Sequence, residues 1–177
     1  MVKDTAFPSR GALTVAFAHV AYRAGEEFAA RRTGVAHFEV RTLEELERRA
    51  READVLVVSG LWRNTLFAAA PKLRFVQSFS AGTDQYNKAL FARRGVRLAS
   101  AQGANERAVA EHAMALILAL TRQLHKARDN QRERRWRGMI GDRALREQQL
   151  GGRTLVVVGL GRIGARSRGW RAPSTCV

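Results

Sequence analysis

An α/β fold is predicted for this chain: a doubly wound parallel sheet in residues 1–101, then the opening of a second α/β unit in residues 102–177. Three observations predict it. Apolar, β-rich runs alternate with helix-forming segments five times before residue 101. The Val-rich run DVLVVSG, Asp54 to Gly60, lacks the in–out alternation of a half-solvated strand, which suits burial on both faces of a parallel sheet. A second Val-rich run, Leu155 to Val158, leads directly into G-x-G-x-x-G at Gly159–Gly164.

Taken in order, LTVAFAHV (Leu13 to Val20) reads as a buried strand, and the Ala/Glu/Arg-rich stretch Ala24 to Arg32 as a helix stopped by Gly34. His37 to Val40 is a second strand. Thr42 and Glu45 form a capping-box pattern that opens a charged helix through Arg51. Asp54 to Gly60 is the third strand, followed by a short helix from Asn64 to Ala70 that Pro71 ends. Leu73 to Phe79 is the fourth strand. Ser80 to Asp84 turns into a helix from Gln85 to Arg94, stopped by Gly95, and Val96 to Ser100 is the fifth strand. Right-handed crossovers are expected between these strands. From Asn105, a plausible cap, one long helix is expected to run to about Arg128, about 36 Å at 1.5 Å per residue. Its middle is apolar nearly all round, which requires burial between layers or at a subunit interface.

Composition excludes several classes of function. The apolar run Ala113 to Leu120 is far shorter than the ~20 residues a bilayer needs, and MVKDTAFPSR has no secretory core, so no membrane role and a cytoplasmic location are expected. A lone Cys176 supports neither a disulfide framework nor a metal site. The formal charge of +15 raises nucleic-acid binding, yet the densest basic stretch, Arg122 to Arg146, is interrupted by Asp129, Glu133 and Asp142 and has Trp136 alone as a stacking group. A solvated helical face accounts for it, and nucleic acid is disfavoured as a partner.

Two segments carry the chemistry. In the glycine motif, Gly159 permits a tight turn, Gly161 lets the backbone approach a pyrophosphate, and Gly164 allows the following helix to pack closely on the strand. Amides at that helix start would hold the phosphates. The other segment is Ser80-Ala81-Gly82-Thr83-Asp84, at the carboxyl end of a parallel strand, where open α/β sheets bind ligands. Free amides at Ala81 and Gly82, read as lying at a helix start, could hold a carboxylate. A routine βα turn explains this second segment equally well when it is taken alone. His19 and His37 are assigned to strands and structural roles. His112 and His125 sit thirteen residues apart on the long helix, too far to pair on a metal. Asp54 reads as a turn residue, and Glu111 as one half of a salt bridge.

Together SAGTDQY (Ser80 to Tyr86), NERAVAEHAMALILAL (Asn105 to Leu120) and LGGRTLVVVGLGRIG (Leu150 to Gly164) resemble the D-isomer-specific 2-hydroxyacid dehydrogenases, a family that includes glyoxylate/hydroxypyruvate reductases and formate and phosphoglycerate dehydrogenases. The resemblance implies a flavodoxin-like substrate domain in residues 1–101 and the start of a Rossmann NAD-binding domain in residues 102–177. It implies that the amides of Ala81 and Gly82 contact the substrate carboxylate, and that Arg162 and Ile163 contact the pyrophosphate of NAD or NADP through their backbone. It further implies a small 2-keto or 2-hydroxy acid as substrate, hydride transfer as the reaction, and a homodimer built through the long helix.

The family's catalytic arginine, glutamate and histidine are expected well beyond the glycine motif, whereas this chain ends thirteen residues after Gly164, so no catalytic residue is assigned within it. The acidic residue that would meet the adenine ribose is likewise not assigned, which leaves NAD and NADP undistinguished. The tail from Ala165, ARSRGWRAPSTCV, places Gly169 and Pro173 where the family continues a helix. With one choice of codons, a one-base shift turns Gly169–Val177 into a family-like apolar segment, so a frameshift near Ser167 is expected. Without later sheet partners, Leu155 to Val158 is expected to have unpaired edges. A truncated, inactive dehydrogenase is therefore the expectation, with a non-enzymatic dimerisation partner of a full-length relative as the alternative.

Overall fold

In the computed structural model, which describes residues 7–168, the chain divides into two compact units, Met1–Gln102 and Gly103–Val177. The first holds a five-stranded, wholly parallel sheet formed by β1 (Thr14–Ala18), β2 (Ala36–Val40), β3 (Val55–Val58), β4 (Phe75–Ser78) and β5 (Arg97–Ala99). Its strand order is β2-β1-β3-β4-β5, the doubly wound order with the switch between β1 and β3. The register is in phase, Val58 pairing with both Ala18 and Ser78, so the loops that follow β1, β3 and β4 leave the sheet at one edge.

Four helices connect these strands: α1 (Ala24–Ala30), α2 (Leu43–Arg49), α3 (Leu66–Ala69) and α4 (Lys88–Arg94). The Thr42 hydroxyl accepts from the Glu45 N–H at 3.2 Å, and the Glu45 carboxylate reaches back to the Arg41 N–H at 3.0 Å, one residue before the usual capping-box donor. α4 ends where Gly95 takes φ +66°, letting the Val96 N–H reach the Phe91 carbonyl. One sheet face carries Ala16, Ala18, Phe38, Val40, Leu56, Val58 and Val76, packed against Leu46 of α2, Leu66 and Phe67 of α3, and Phe91 of α4. The other face is covered less evenly. Phe28 of α1 packs on Phe17, with ring centroids 5.2 Å apart. Val55, Val57 and Phe75 remain only partly buried, so β3 is not sealed on both faces as its composition suggests.

In the second unit the expected single long helix is two: α5 (Glu106–Thr121) and α6 (Leu124–Arg132). The break falls at Gln123, whose φ of +51° is left-handed. The Thr121 hydroxyl bonds back to the Ile117 carbonyl, the Thr121 carbonyl accepts from the Gln148 N–H at 2.8 Å, and the Gln123 amide donates to the Leu145 carbonyl. Gln148 thus satisfies the Thr121 carbonyl that a continuing helix would have used, and the Gln123 side chain ties the turn to Leu145. Asn105 stands at the start of α5, but its side chain makes no capping bond. Of α5 only Ala110 is buried, while Leu116, Leu118 and Leu120 are exposed.

The expected strand over Leu155–Val158 does not form: these residues join no sheet, and Val156 and Val158 are 77% and 96% exposed. The physical reason is local. A strand is stabilised by its ladder, and none of the described residues offers this segment a partner. After it, α7 (Arg162–Arg168) forms, so the tail that reads as aberrant from Ala165 is helical through Arg168. The expectations that concern Gly169 to Val177, including Cys176, lie outside the described residues.

Candidate functional site

The first candidate lies at the carboxyl edge of the sheet, where β4 runs into Ser80. The Ser80 N–H is shared between the Ser59 and Ser78 hydroxyl oxygens, at 3.1 and 3.0 Å. Its own hydroxyl donates to Ser59 Oγ at 3.1 Å, and its carbonyl accepts from the Ala101 N–H at 3.0 Å. Six residues on, the Tyr86 hydroxyl donates to the buried Val58 carbonyl at 2.7 Å. Between these anchors Ala81 and Gly82 are exposed, and the space beside the Gly82 Cα is open. Among the described residues, neither the Ala81 nor the Gly82 N–H has a protein acceptor. Two such N–H groups on a fixed loop can receive an anion.

One part of the sequence reading is corrected here. α4 begins at Lys88, because the Asn87 side chain accepts from the Leu90 N–H at 3.0 Å and caps it. Ala81 and Gly82 therefore precede the helix by a full turn and more, and helix-dipole assistance does not apply to them. Their capacity for an anion rests on unshared N–H groups and on the rigidity of the loop.

The second candidate is the glycine motif. Gly159 has φ +91°, a conformation that glycine adopts without strain. A Cβ on Gly164 would run into the Gly159 carbonyl oxygen and within 3.1 Å of Val157 Cγ1, whereas the space beside Gly161 is open. The N–H groups of Arg162, Ile163 and Gly164 precede the first turn's bonds, and the Ala165 N–H closes on the Gly161 carbonyl at 2.8 Å. A residue that sequence reading passed over holds this turn: Glu106 of α5, whose largely buried carboxylate lies 3.2 Å from Arg162 Nη1 and 3.9 Å from Arg166 Nε. The Arg162 side chain is thereby drawn onto α5. Tight first glycine, open second glycine, crowded third glycine and unshared amides fit a pyrophosphate. The strand that would carry the turn is not in place.

The other candidates take structural roles. His19 lies just past β1, where its Nδ1 accepts from the Ala21 and Tyr22 N–H groups at 3.1 and 2.8 Å and its ring stacks on Tyr22 at 4.0 Å. His37, on β2, packs edge-on against Phe17 and Phe28. His112 and His125 fall on different helices. Asp54 is more than a turn residue: it is buried, and its carboxylate accepts from the Thr14 N–H at 3.0 Å, tying β1 to the start of β3. Glu111 pairs with Arg107 one turn away, at 2.7 Å. This ion pair holds the Arg107 guanidinium above its ordinary value, chiefly through the hydrogen bond to Glu111. Among the described residues, no group of His, Cys, Asp or Glu is placed to hold a metal ion. No described helix is long and apolar enough to cross a membrane. Ser59, Ser78, Tyr86 and Glu106 were not singled out by the sequence. Tyr86 and Glu106 fall inside the segments SAGTDQY and NERAVAEHAMALILAL, but all four residues matter through contacts with residues 19 to 56 positions distant.

Residues 15–165 match the family model for the catalytic domain of D-isomer specific 2-hydroxyacid dehydrogenases. Over 115 residues the chain is 37% identical to D-3-phosphoglycerate dehydrogenase of Mycobacterium tuberculosis, a match covering 64% of this chain and 21% of that protein. Over 123 residues it is 33% identical to glyoxylate reductase of Thermofilum pendens, covering 68% and 36%. Among solved structures, D-lactate dehydrogenase of Aquifex aeolicus, complexed with NAD and lactic acid, superposes with a TM-score of 0.72 at 21% identity, over 88% of this chain and 47% of that one, a likeness of fold. The matched regions cover between 21% and 47% of these proteins' own lengths.

Proposed function

Since the chain belongs to the D-isomer-specific 2-hydroxyacid dehydrogenase family, we propose that it supplies two binding elements of an NAD(P)-dependent oxidoreductase acting on 2-keto or D-2-hydroxy acids. Residues 1–101 are read as the substrate domain and residues 102–177 as the start of the dinucleotide-binding domain. In this reading the Ala81 and Gly82 N–H groups hold the substrate carboxylate, and Gly159, Gly161, Arg162, Ile163 and Gly164 form the turn that receives the cofactor pyrophosphate. The observation that carries it is the pair of unshared N–H groups at the carboxyl edge of a doubly wound sheet, on a loop pinned at both ends.

NAD or NADP, when bound, supplies or takes up the hydride. This chain's residues bind and orient: the loop fixes the acid by its carboxylate, and the turn's amides meet phosphate charge. The acid–base histidine, its glutamate and the substrate arginine have no counterpart assigned in this chain, so it is not expected to turn over a 2-keto acid unaided. Two measurements on the purified 177-residue chain test this. Titration with pyruvate should shift the amide resonances of Ala81 and Gly82, and NADH oxidation with pyruvate or glyoxylate should stay at the blank rate. Robust turnover would refute the second half of the proposal, and unmoved resonances the first.

A second role is favoured by one observation. Val109, Leu116 and Leu120 share one face of α5 by helical spacing and are exposed. An apolar strip of this kind suits pairing with a second copy or with a full-length relative, as a homodimer or as a non-enzymatic subunit.

A further inference from the structure

Three serine hydroxyls beneath the 80–86 loop form one connected hydrogen-bonded cluster. Ser59 Oγ accepts from the Ser80 N–H and from the Ser80 hydroxyl. Ser59 Oγ also lies 3.1 Å from Ser78 Oγ, a contact in which either hydroxyl can donate. Ser78 Oγ in turn takes its share of the Ser80 N–H. Ser59 is therefore the hub, with three bonds, and is itself buried, as is Ser78. Directly before it in the chain, the Val58 carbonyl receives the Tyr86 hydroxyl. Two consecutive residues at the end of β3 hold both ends of the loop that carries Ala81 and Gly82.

We propose that Ser59 and Tyr86 are positioning residues for the carboxylate contact: through Ser80 at one end and Val58 at the other, they keep the Ala81 and Gly82 N–H groups ordered before any ligand arrives. The proposal rests on reading those amides as the carboxylate site, and it adds which side chains pre-organise them. A loop ordered in advance does not lose its freedom on binding, so affinity that would go into ordering is retained. Ser59 and Tyr86 themselves need not touch the ligand. Loss of the Ser59 hydroxyl also leaves the Ser80 hydroxyl without its acceptor in a part-buried position, which is the costly way to lose a hydrogen bond.

The test uses the 15N-labelled full chain as wild type, Ser59→Ala, Ser59→Thr and Tyr86→Phe. Without ligand, the heteronuclear NOE of Ala81 and Gly82 and the exchange rate of the Ser80 amide report loop order. With pyruvate, the shifts of Ala81 and Gly82 report binding. Expected are lower NOE values, faster Ser80 exchange and about tenfold weaker pyruvate binding in Ser59→Ala and Tyr86→Phe, with resonances of β2 unmoved and with both properties restored in Ser59→Thr. Wild-type loop order in both hydroxyl-deleted variants would overturn the proposal, whatever pyruvate does. So would restored order in Ser59→Thr without restored binding, in a chain whose wild type binds. If the wild type shows no pyruvate shift, the carboxylate reading fails, and the brace still stands or falls on the ligand-free order. Should Ser59→Ala not fold, Tyr86→Phe decides, because its ring keeps its packing against Trp62 and Phe91.

Discussion

At the scale of single residues, the proposed binding elements depend on atoms that are either missing or unshared. Gly164 has no Cβ because the Gly159 carbonyl occupies that space. Gly164→Ala is therefore expected to push α7 off the turn at a cost of about 1–3 kcal/mol, typical of overpacking. Loss of amide-exchange protection in 165–168 with β1–β5 unaffected would show it; unchanged protection would mean that the turn relaxes freely. The tight turn at Gly159 and the close packing at Gly164 were legible in the sequence, the first through a left-handed φ and the second through a missing Cβ. The opposite holds for Ser59 and Glu106. Serine and glutamate are ordinary surface residues in composition, and nothing local distinguishes the Ser59 that accepts from Ser80, 21 positions later, or the Glu106 that draws in Arg162, 56 positions later.

At the scale of elements, the two helix corrections share a cause. The sequence between Gln85 and Arg94 is helix-compatible throughout, yet α4 waits for Asn87, whose side chain competes for the Leu90 N–H. The sequence from Asn105 to Arg128 is also helix-compatible throughout, yet it breaks at Gln123, where Gln148 takes the Thr121 carbonyl. In both cases propensity was neutral and a specific hydrogen bond chose the boundary. The exposed leucines of α5 lead to a further expectation. If this strip mediates association, Leu120→Glu should shift the chain toward monomer in sedimentation velocity at micromolar concentration, and an unchanged distribution would assign the strip no such role. The polar segment after α6 is held differently, by the ion pair of Arg137 with Glu147. The Glu147 carboxyl lies below the usual carboxylate range, first through a backbone hydrogen bond and then through the Arg137 charge, with burial opposing both. A depressed carboxylate contributes its stabilisation above its unfolded value, about 4.3, and loses it as the pH falls through the folded value. An NMR titration of the Glu147 side chain should accordingly place its midpoint below that of an unpaired glutamate; a midpoint at or above it would remove the ion pair's role.

At the scale of the whole molecule, the two units differ in how well they bury what they contain. The first has a continuous core that includes Leu46, Leu56, Val58, Leu66, Leu73 and Val76, all essentially inaccessible to solvent. In the second, Ala110 is the one buried residue among those described, and the Val-rich run before the glycine motif lies open. Burial of apolar area is the main favourable term in folding, so resistance to opening should follow it. Limited proteolysis is expected to leave a stable fragment ending near Ser100, identified by mass spectrometry. Equal resistance through Arg168 would contradict this.

The sequence by itself determined the family, the five β–α units with their order along the chain, and the two segments proposed to bind ligands. These follow from hydrophobic runs and from glycine positions, which are properties of neighbouring residues. Only the tertiary structure decided where α4 starts, that the long helix breaks, that the Val-rich run before Gly159 forms no strand, and that hydroxyls at the end of β3 hold the Ala81–Gly82 loop. Each of these turns on a partner distant in sequence, either supplied, as Gln148 is to Thr121 and Ser59 to Ser80, or lacking, as for Leu155–Val158. A hydrogen bond's free energy depends on the presence of both its groups, and a one-dimensional pattern records them separately.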